Sequence, residues 1–252
     1  MRRLPLLKHF LWFVLLAFCA TGADLLAQNS EPISKANQEY NAGRFSEAAN
    51  LYETALATGE RNAALFYNLG NARFRLGELG RAILQYERAL ALEPQHPEAA
   101  ANLRLAQDKA RALELRKHWS DRLGAWVTTA QLSIAANVAF WAAVFALAAL
   151  LLARRRLRII ISLLVASVVA LALAAGALYL RERGNRGRDF AVVTGQKVEA
   201  RVATADSAGT VLLLPPGSEI KILSTRGDWI YAALPNELRG WIPAQSAELV
   251  RR

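Results

Sequence analysis

The spacing of apolar residues along this 252-residue chain changes character several times. It begins with MRRLPLLK, a short basic stretch, followed by the apolar run HFLWFVLLAFCATGA with small residues at Thr21, Ala23 and Ala27. That is the layout of a secretory signal over residues 1–27, the alternative being an uncleaved anchor. From residue 28 to 118 the apolar positions recur at helical spacing. In the last part of that stretch Ala99, Leu103, Ala106, Ala110 and Leu113 form a stripe at alternating steps of four and three, which predicts one helix running from Pro97 to Trp119. Residues 132–153 and 159–180 then form two continuous apolar runs without a charge. At ~1.5 Å per residue each is long enough to span a hydrocarbon core of ~30 Å. Beyond residue 189 the rhythm becomes that of strands. Short runs (FAVV, TVLLL, EIKIL, WIYAAL) alternate with turn signals at Pro215-Pro216-Gly217, Arg226-Gly227-Asp228 and Pro235-Asn236-Glu237, and a spacing of about ten residues suggests a small all-β barrel.

Charge decides how these pieces are arranged. The formal net charge is +10, yet residues 28–118 carry 12 basic and 11 acidic side chains, and residues 189–252 carry 7 of each. The excess sits beside the apolar runs, at Arg2, Arg3 and Lys8, at Arg154, Arg155, Arg156 and Arg158, and at Arg181, Arg183, Arg186 and Arg188. This is the footprint of membrane flanks and argues against a nucleic-acid partner. The loop 154–158 is so short that the two spans form a tight hairpin, and its arginines favour the cytoplasmic side. A translocated N-terminus then leaves both soluble portions, 28–118 and 189–252, outside the cytoplasm, joined to the spans through 119–131 and the basic linker 181–188. The arginines of that second linker pull the other way. Trp119, Trp126 and Tyr179 are candidates for an aromatic belt. Ala135, Ala139 and Ala143 in the first span, and Ala170 with Ala174 or Ala172 with Gly176 in the second, are candidate close-packing rows. Asn137, the strongly polar residue of the first span, should face a helix or a partner. The spans hold no ionisable side chain, which argues against a transporter.

Within 28–118 the chain repeats itself. Residues 37–57 and 71–91, offset by 34, agree at 8 of 21 positions, including Gly43/Gly77, Ala48/Ala82, Tyr52/Tyr86 and Ala55/Ala89; ordinary composition would give about 1 or 2. Period and pattern resemble the tetratricopeptide repeat, most clearly in FYNLGNARFRLGELGRAILQYERALALEP, residues 66–94. The resemblance implies that Gly70 and Ala82 lie where the two helices of a repeat cross. It also implies that Tyr86 and Ala89 pack on the next repeat and that Pro94 ends the second helix. The first copy departs, with Pro32, Ala36 and Glu60 in place of Phe66, Gly70 and Pro94, so its first helix is expected to start late or be loose. Two repeats and a cap make a marginal solenoid, which a partner or self-association would complete. The family's inner groove binds peptide segments. Here its lining would be Asn37, Asn41, Asn68, Asn71, Arg75 and Asn102, whose amides offer donor and acceptor to an extended backbone. The lysines that clamp a C-terminal carboxylate in some members are missing.

The C-terminal 60 or so residues resemble the bacterial SH3-like domain, with Gly217, Trp229, Gly240 and Trp241 in its usual places. Trp229 and Trp241 are either core residues, the plainer reading, or a ligand surface. Arg226-Gly227-Asp228 reads as a turn. Chemistry is sparse. His9, His96 and His118 have no metal-ligand spacing, Cys19 falls inside the signal, and no nucleophile elbow, phosphate loop or carboxylate pair stands out. No catalytic residue, metal or cofactor is expected.

The order of parts, with the start NLRLA of the cap and the ending GWIPAQSAELV, resembles the BatE-type proteins of bacterial aerotolerance operons. That resemblance implies a multidomain membrane protein: a helical solenoid, a two-helix hairpin and a C-terminal SH3-like barrel. It would serve as a non-enzymatic scaffold beside von Willebrand A-type membrane proteins and a MoxR-type ATPase. The alternative is a module that binds or senses peptidoglycan.

Overall fold

The computed structural model describes residues 31–116, 127, 129–152, 158–183 and 188–251. The signal segment, Trp119, Trp126, Arg154, Arg155, Arg156 and Arg186 lie outside them, as do the side chains of Arg181 and Arg183.

Five helices follow one another in antiparallel pairs: α1 Glu31–Asn41, α2 Phe45–Ala57, α3 Ala63–Arg75, α4 Leu79–Leu92 and α5 Pro97–Ala110. Gly43 and Gly77, repeat equivalents at φ +79, supply the left-handed residue that closes α1 and α3 and lets the chain turn back. Asn62 caps α3 by accepting the Leu65 amide at 2.7 Å. His96 caps α5 in the same way, with Pro97 at the first helical position. The first core packs Ala36, Ala48, Tyr52 and Ala55 against Leu65, Leu69 and Ala72. Gly70 is needed where α3 meets α4, because a Cβ there would lie 2.6 Å from the Tyr86 ring.

The cap helix is shorter than the stripe predicts. It stops at Ala110, with Arg111 in the left-handed region at φ 51. Beyond it the chain runs extended onto the C-terminal sheet: Leu113 donates to Ser218 Oγ at 3.1 Å, the Glu219 amide donates to the Leu113 carbonyl at 2.8 Å, and Leu115 donates to Glu219 Oε2 at 3.0 Å. Leu113, fifth residue of the stripe, packs on the core of the sheet instead of on a helix face.

That sheet has seven antiparallel strands: β1 Phe190–Val193, β2 Val198–Arg201, β3 Thr210–Leu214, β4 Glu219–Arg226, β5 Trp229–Ala233, β6 Arg239–Pro243 and β7 Ala247–Leu249. Their order is β3-β2-β6-β5-β4-β1-β7. It is open, in contrast to the barrel expected from the sequence, because its end strands β3 and β7 do not pair with each other. The β7 end is met by α4. There Arg88 donates to the Leu249 carbonyl at 2.9 Å and pairs with Glu248 at 3.3 Å, which satisfies an edge that closure would otherwise have to satisfy. Between β4 and the preceding segment, Pro215-Pro216-Gly217-Ser218 makes a type II turn. Ser218 donates to the Pro215 carbonyl, and Gly217 takes the required positive φ of +84. Gly227, at φ +56, turns β4 into β5, so Arg226-Gly227-Asp228 is a hairpin turn.

Strand β1 is buried along its whole length. Ala191 and Val193 face the sheet's own core with Ile220, Ala232 and Ile242, while Phe190 and Val192 share a second core with Ala82, Ile83 and Tyr86 of α4, Leu103 of α5, Leu115 and Val250. Solenoid and sheet are therefore one packed body. The sheet packs in cis against α4, the second helix of the second repeat.

Between these modules in sequence lie α6, Thr129–Leu152, and α7, Arg158–Arg183, paired along their length. Within them Ala130–Leu151 and Arg158–Leu180 are long and apolar enough to cross a membrane, and they are mostly exposed, unlike a core helix of a soluble fold. The contact follows heptad steps of four and three, through Leu132, Ala136, Ala139, Ala143, Ala146 and Leu150 on α6, and Ile160, Leu164, Ser167, Leu171, Ala174 and Leu178 on α7. Of the expected rows only Ala139, Ala143 and Ala174 take part. Ala135, Ala170, Ala172 and Gly176 point outward because two helices crossing at a small angle follow a seven-residue repeat, which strict spacing by four drifts away from. Asn137 is also on the outer surface.

Candidate functional site

Four of the six groove residues, Asn37, Asn68, Asn71 and Asn102, fall into a repeated hydrogen-bond ladder that Asn41 and Arg75 do not join. Tyr52 donates its hydroxyl to Asn37 Oδ1 at 2.6 Å, and Asn68 donates its amide to the same oxygen at 3.3 Å. Thirty-four residues on, Tyr86 donates to Asn71 Oδ1 at 2.8 Å and Asn102 to the same oxygen at 2.9 Å. Asn102 also reaches the Tyr67 hydroxyl at 3.4 Å. The amide oxygens of Asn37 and Asn71 are thus turned inward to satisfy buried phenols, so the expectation that they meet a ligand's N–H groups needs correcting. The physical reason is the cost of leaving a desolvated hydroxyl without an acceptor. Burial pushes the Tyr52 hydroxyl up to about 12, with Tyr40 nearby adding to the shift. Burial likewise raises Tyr86, the more enclosed of the two.

What remains open on this side is a concavity of about 260 Å³ whose wall includes Tyr40, Tyr67, Phe74, Arg75, Asn102 and Leu105. Asn71 and Asn102 border it; Asn37, Asn41 and Asn68 do not. Arg75 lies 4.3 Å over the Phe45 ring and Lys109 5.0 Å over Phe74, so the rim carries cations held on aromatic faces. The sequence reading missed Tyr40, Phe74 and Leu105. Tyr40 and Phe74 are repeat equivalents, and an aromatic at the same place in both copies was the signal available. Leu105 is 55% exposed at the lip of the groove.

A larger concavity of about 710 Å³ opens where α2, α3 and α4 meet the end of the sheet. Arg73 crosses its wall between Glu53 at 2.5 Å and Glu78 at 2.6 Å. Burial opposes its charge, but the two carboxylates more than offset this and hold the guanidinium above its ordinary value. His96, the one histidine described in contact with these helices, caps α5 and lies 5.0 Å from the Tyr67 ring. Among the described residues no three of His, Cys, Asp and Glu come together as metal ligands would.

On the sheet, Trp229 and Trp241 are not core residues, contrary to the plainer reading. Core and outer faces alternate along β5 and β6, so Ile230, Ala232 and Ile242 point inward while Trp229, Tyr231 and Trp241 lie partly buried on the opposite face. The pairing sets Tyr231 opposite Trp241, rings 5.0 Å apart. Gly240 allows β2 to come close to β6, since a Cβ there would lie 3.2 Å from the Arg201 carbonyl oxygen.

Comparison with known proteins bears on the solenoid. Residues 33–100 match the model of the tetratricopeptide repeat. Over 72 residues, 28% of the chain, it is 38% identical to the protein CTR9 homolog of Arabidopsis thaliana, covering 7% of that protein. It is 35% identical over 78 residues to tetratricopeptide repeat protein 16 of Homo sapiens, 31% of this chain and 9% of that one. The Macaca fascicularis protein of the same name is 36% identical over 70 residues, 28% of this chain and 8% of its own. The chain thus spans less than a tenth of the length of the curated relatives it matches. The repeats are tetratricopeptide repeats, which points to protein partners in general.

Proposed function

We propose that this chain is a membrane-anchored, non-enzymatic scaffold of the bacterial cell envelope, similar to the BatE-type proteins of aerotolerance operons, which holds protein segments in the groove of its repeats. One observation carries the reading. Solenoid and sheet share a core although two helices of membrane-spanning length separate them in sequence. A chain whose flanking modules pack together must cross a bilayer an even number of times, which a hairpin does. The arginine-rich loop favours the cytoplasmic side, so both modules face the periplasm. By the same resemblance, the C-terminal module is an SH3-like domain that lacks closure, and the partners are von Willebrand A-type membrane proteins working with a MoxR-type ATPase.

The groove chemistry supports a peptide guest. Aromatic walls at Tyr40, Tyr67 and Phe74 offer apolar contact, Asn102 an amide and Arg75 a charge at the rim. A photo-crosslinking residue at Leu105 or Phe74, used in living cells, should yield discrete protein adducts, and one at exposed Leu213 on the sheet should not share them. No adduct at either groove position would end the scaffold reading. Protease added to intact spheroplasts should remove a C-terminal tag; protection until lysis would reverse the orientation.

Trp229, Tyr231 and Trp241, partly buried together on the outer face, favour a second reading, in which the sheet binds peptidoglycan through aromatic faces. The full chain in detergent should then sediment with purified wall material, and Trp229→Ala with Trp241→Ala should abolish this without unfolding the sheet. Sedimentation unchanged by both substitutions would rule it out.

A further inference from the structure

We infer that Asn137 is the centre of a contact between the first spans of two copies of this chain, so that the scaffold works as a dimer within the membrane. This rests on the proposed membrane insertion and adds the partner. Asn137 sits about 10 Å inside the span Ala130–Leu151, counted at 1.5 Å per residue. Its side chain is exposed on the surface of the hairpin, away from α7, and makes no hydrogen bond among the described residues. Lipid can accommodate its outward neighbours Ile134, Val138, Val144 and Leu147, but offers an amide neither donor nor acceptor. A protein group has to supply both.

A second, independent observation marks the same surface. Trp141, one turn deeper, is 49% exposed, with Phe140 edge-on at 5.6 Å and Phe145 tilted at 6.2 Å. It lies about 16 Å into the span, near the middle of the bilayer. Spanning tryptophans concentrate at the headgroups, where the indole N–H stays wet; one held at mid-depth calls for a packed protein surface and an acceptor.

The occupant follows from the chemistry of the amide. Asparagine is donor and acceptor at once, so it pairs with its own kind across a twofold axis. Two copies inserted the same way present Asn137 at the same depth without any further condition. A different membrane protein would need a polar group of its own at that depth. The inner row of α6 is already used by α7, so the dimer contact uses the opposite face and the hairpin stays intact.

The test uses the full chain with Cys19→Ser and a reporter Ser133→Cys, one turn from Asn137 on the same face. Oxidation in native membranes should give an adduct of twice the chain's mass. Adding Asn137→Leu should weaken self-association about tenfold, the scale of an interhelical polar contact, and Asn137→Gln should restore most of it. Ala139→Cys, which faces α7, should give no such adduct. Absence of the double-mass adduct, an adduct with a protein of another mass, or indifference to Asn137→Leu would overturn the dimer. Carbonate extraction separates the two levels of failure. Chain released by carbonate refutes the membrane reading and the dimer with it; chain retained without an adduct refutes the dimer alone.

Discussion

Gly217→Ala tests the joint between solenoid and sheet. The residue occupies the third position of the type II turn at φ +84, where a side chain costs about 1–2 kcal/mol by backbone strain alone. A Cβ would also lie 2.1 Å from Ile83 Cδ1, and Ile83 is fully buried in the shared core, so it has no solvent to swing into. Forcing a methyl into such a site costs a further ~1–3 kcal/mol. The expected loss is about 2–5 kcal/mol in all. Ile83→Val by itself should cost about 0.5–1.5 kcal/mol. It removes Cδ1, however, and leaves the next contact at the Ile83 Cγ1 position, 3.3 Å away. In that background Gly217→Ala should therefore cost only the backbone term, so the pair should couple favourably by about 1–3 kcal/mol. Hydrogen exchange reads this where it matters, at the amides of Leu113, Leu115 and Glu219, each bonded across the joint. Equal cost in both backgrounds, to within about 0.5 kcal/mol, would refute the packing of α4 on the turn.

Three other outcomes follow from the same geometry. Tyr52 and Tyr86 have raised folded values, so their stabilisation is complete below the ordinary value of 10.0 and is lost as pH rises, because the unfolded phenols ionise first. Melting temperature should fall between about pH 10 and 12, and Tyr86→Phe should flatten that decline; an unchanged slope counts against the ladder. Asn71→Ala should cost about 1–3 kcal/mol in urea unfolding by orphaning the Tyr86 hydroxyl, and much less in a Tyr86→Phe background. Gly80→Ala should destabilise although alanine is the better helix former by about 1 kcal/mol, since its Cβ would stand 2.9 Å from the Val193 carbonyl oxygen, and a gain in melting temperature would contradict the docking of α4 on β1.

The sequence by itself determined whatever depends on neighbours within a turn or two. The offset of 34, the Pro215-Pro216-Gly217 turn, the proline and capping residue before α5, and the two charge-free runs all express local chemistry that no distant contact overrules. The tertiary structure alone decided which partner each apolar or polar group found. Leu113 continues a helical stripe perfectly well, yet its methyls are equally satisfied by the sheet, and the hydrogen bonds at Ser218 and Glu219 bring the chain there. The asparagines read as an open groove because an amide's bonding capacity is visible in sequence, whereas the buried tyrosine beneath it is visible only in space. Trp229 and Trp241 alternate with inward-facing residues such as Ile230 and Ile242, and period two states that the faces differ without stating which one is inside. The union of solenoid and sheet was illegible for the same reason. Phe190 and Val192 look like any buried strand residues until α4, more than a hundred positions earlier, supplies the surface that buries them.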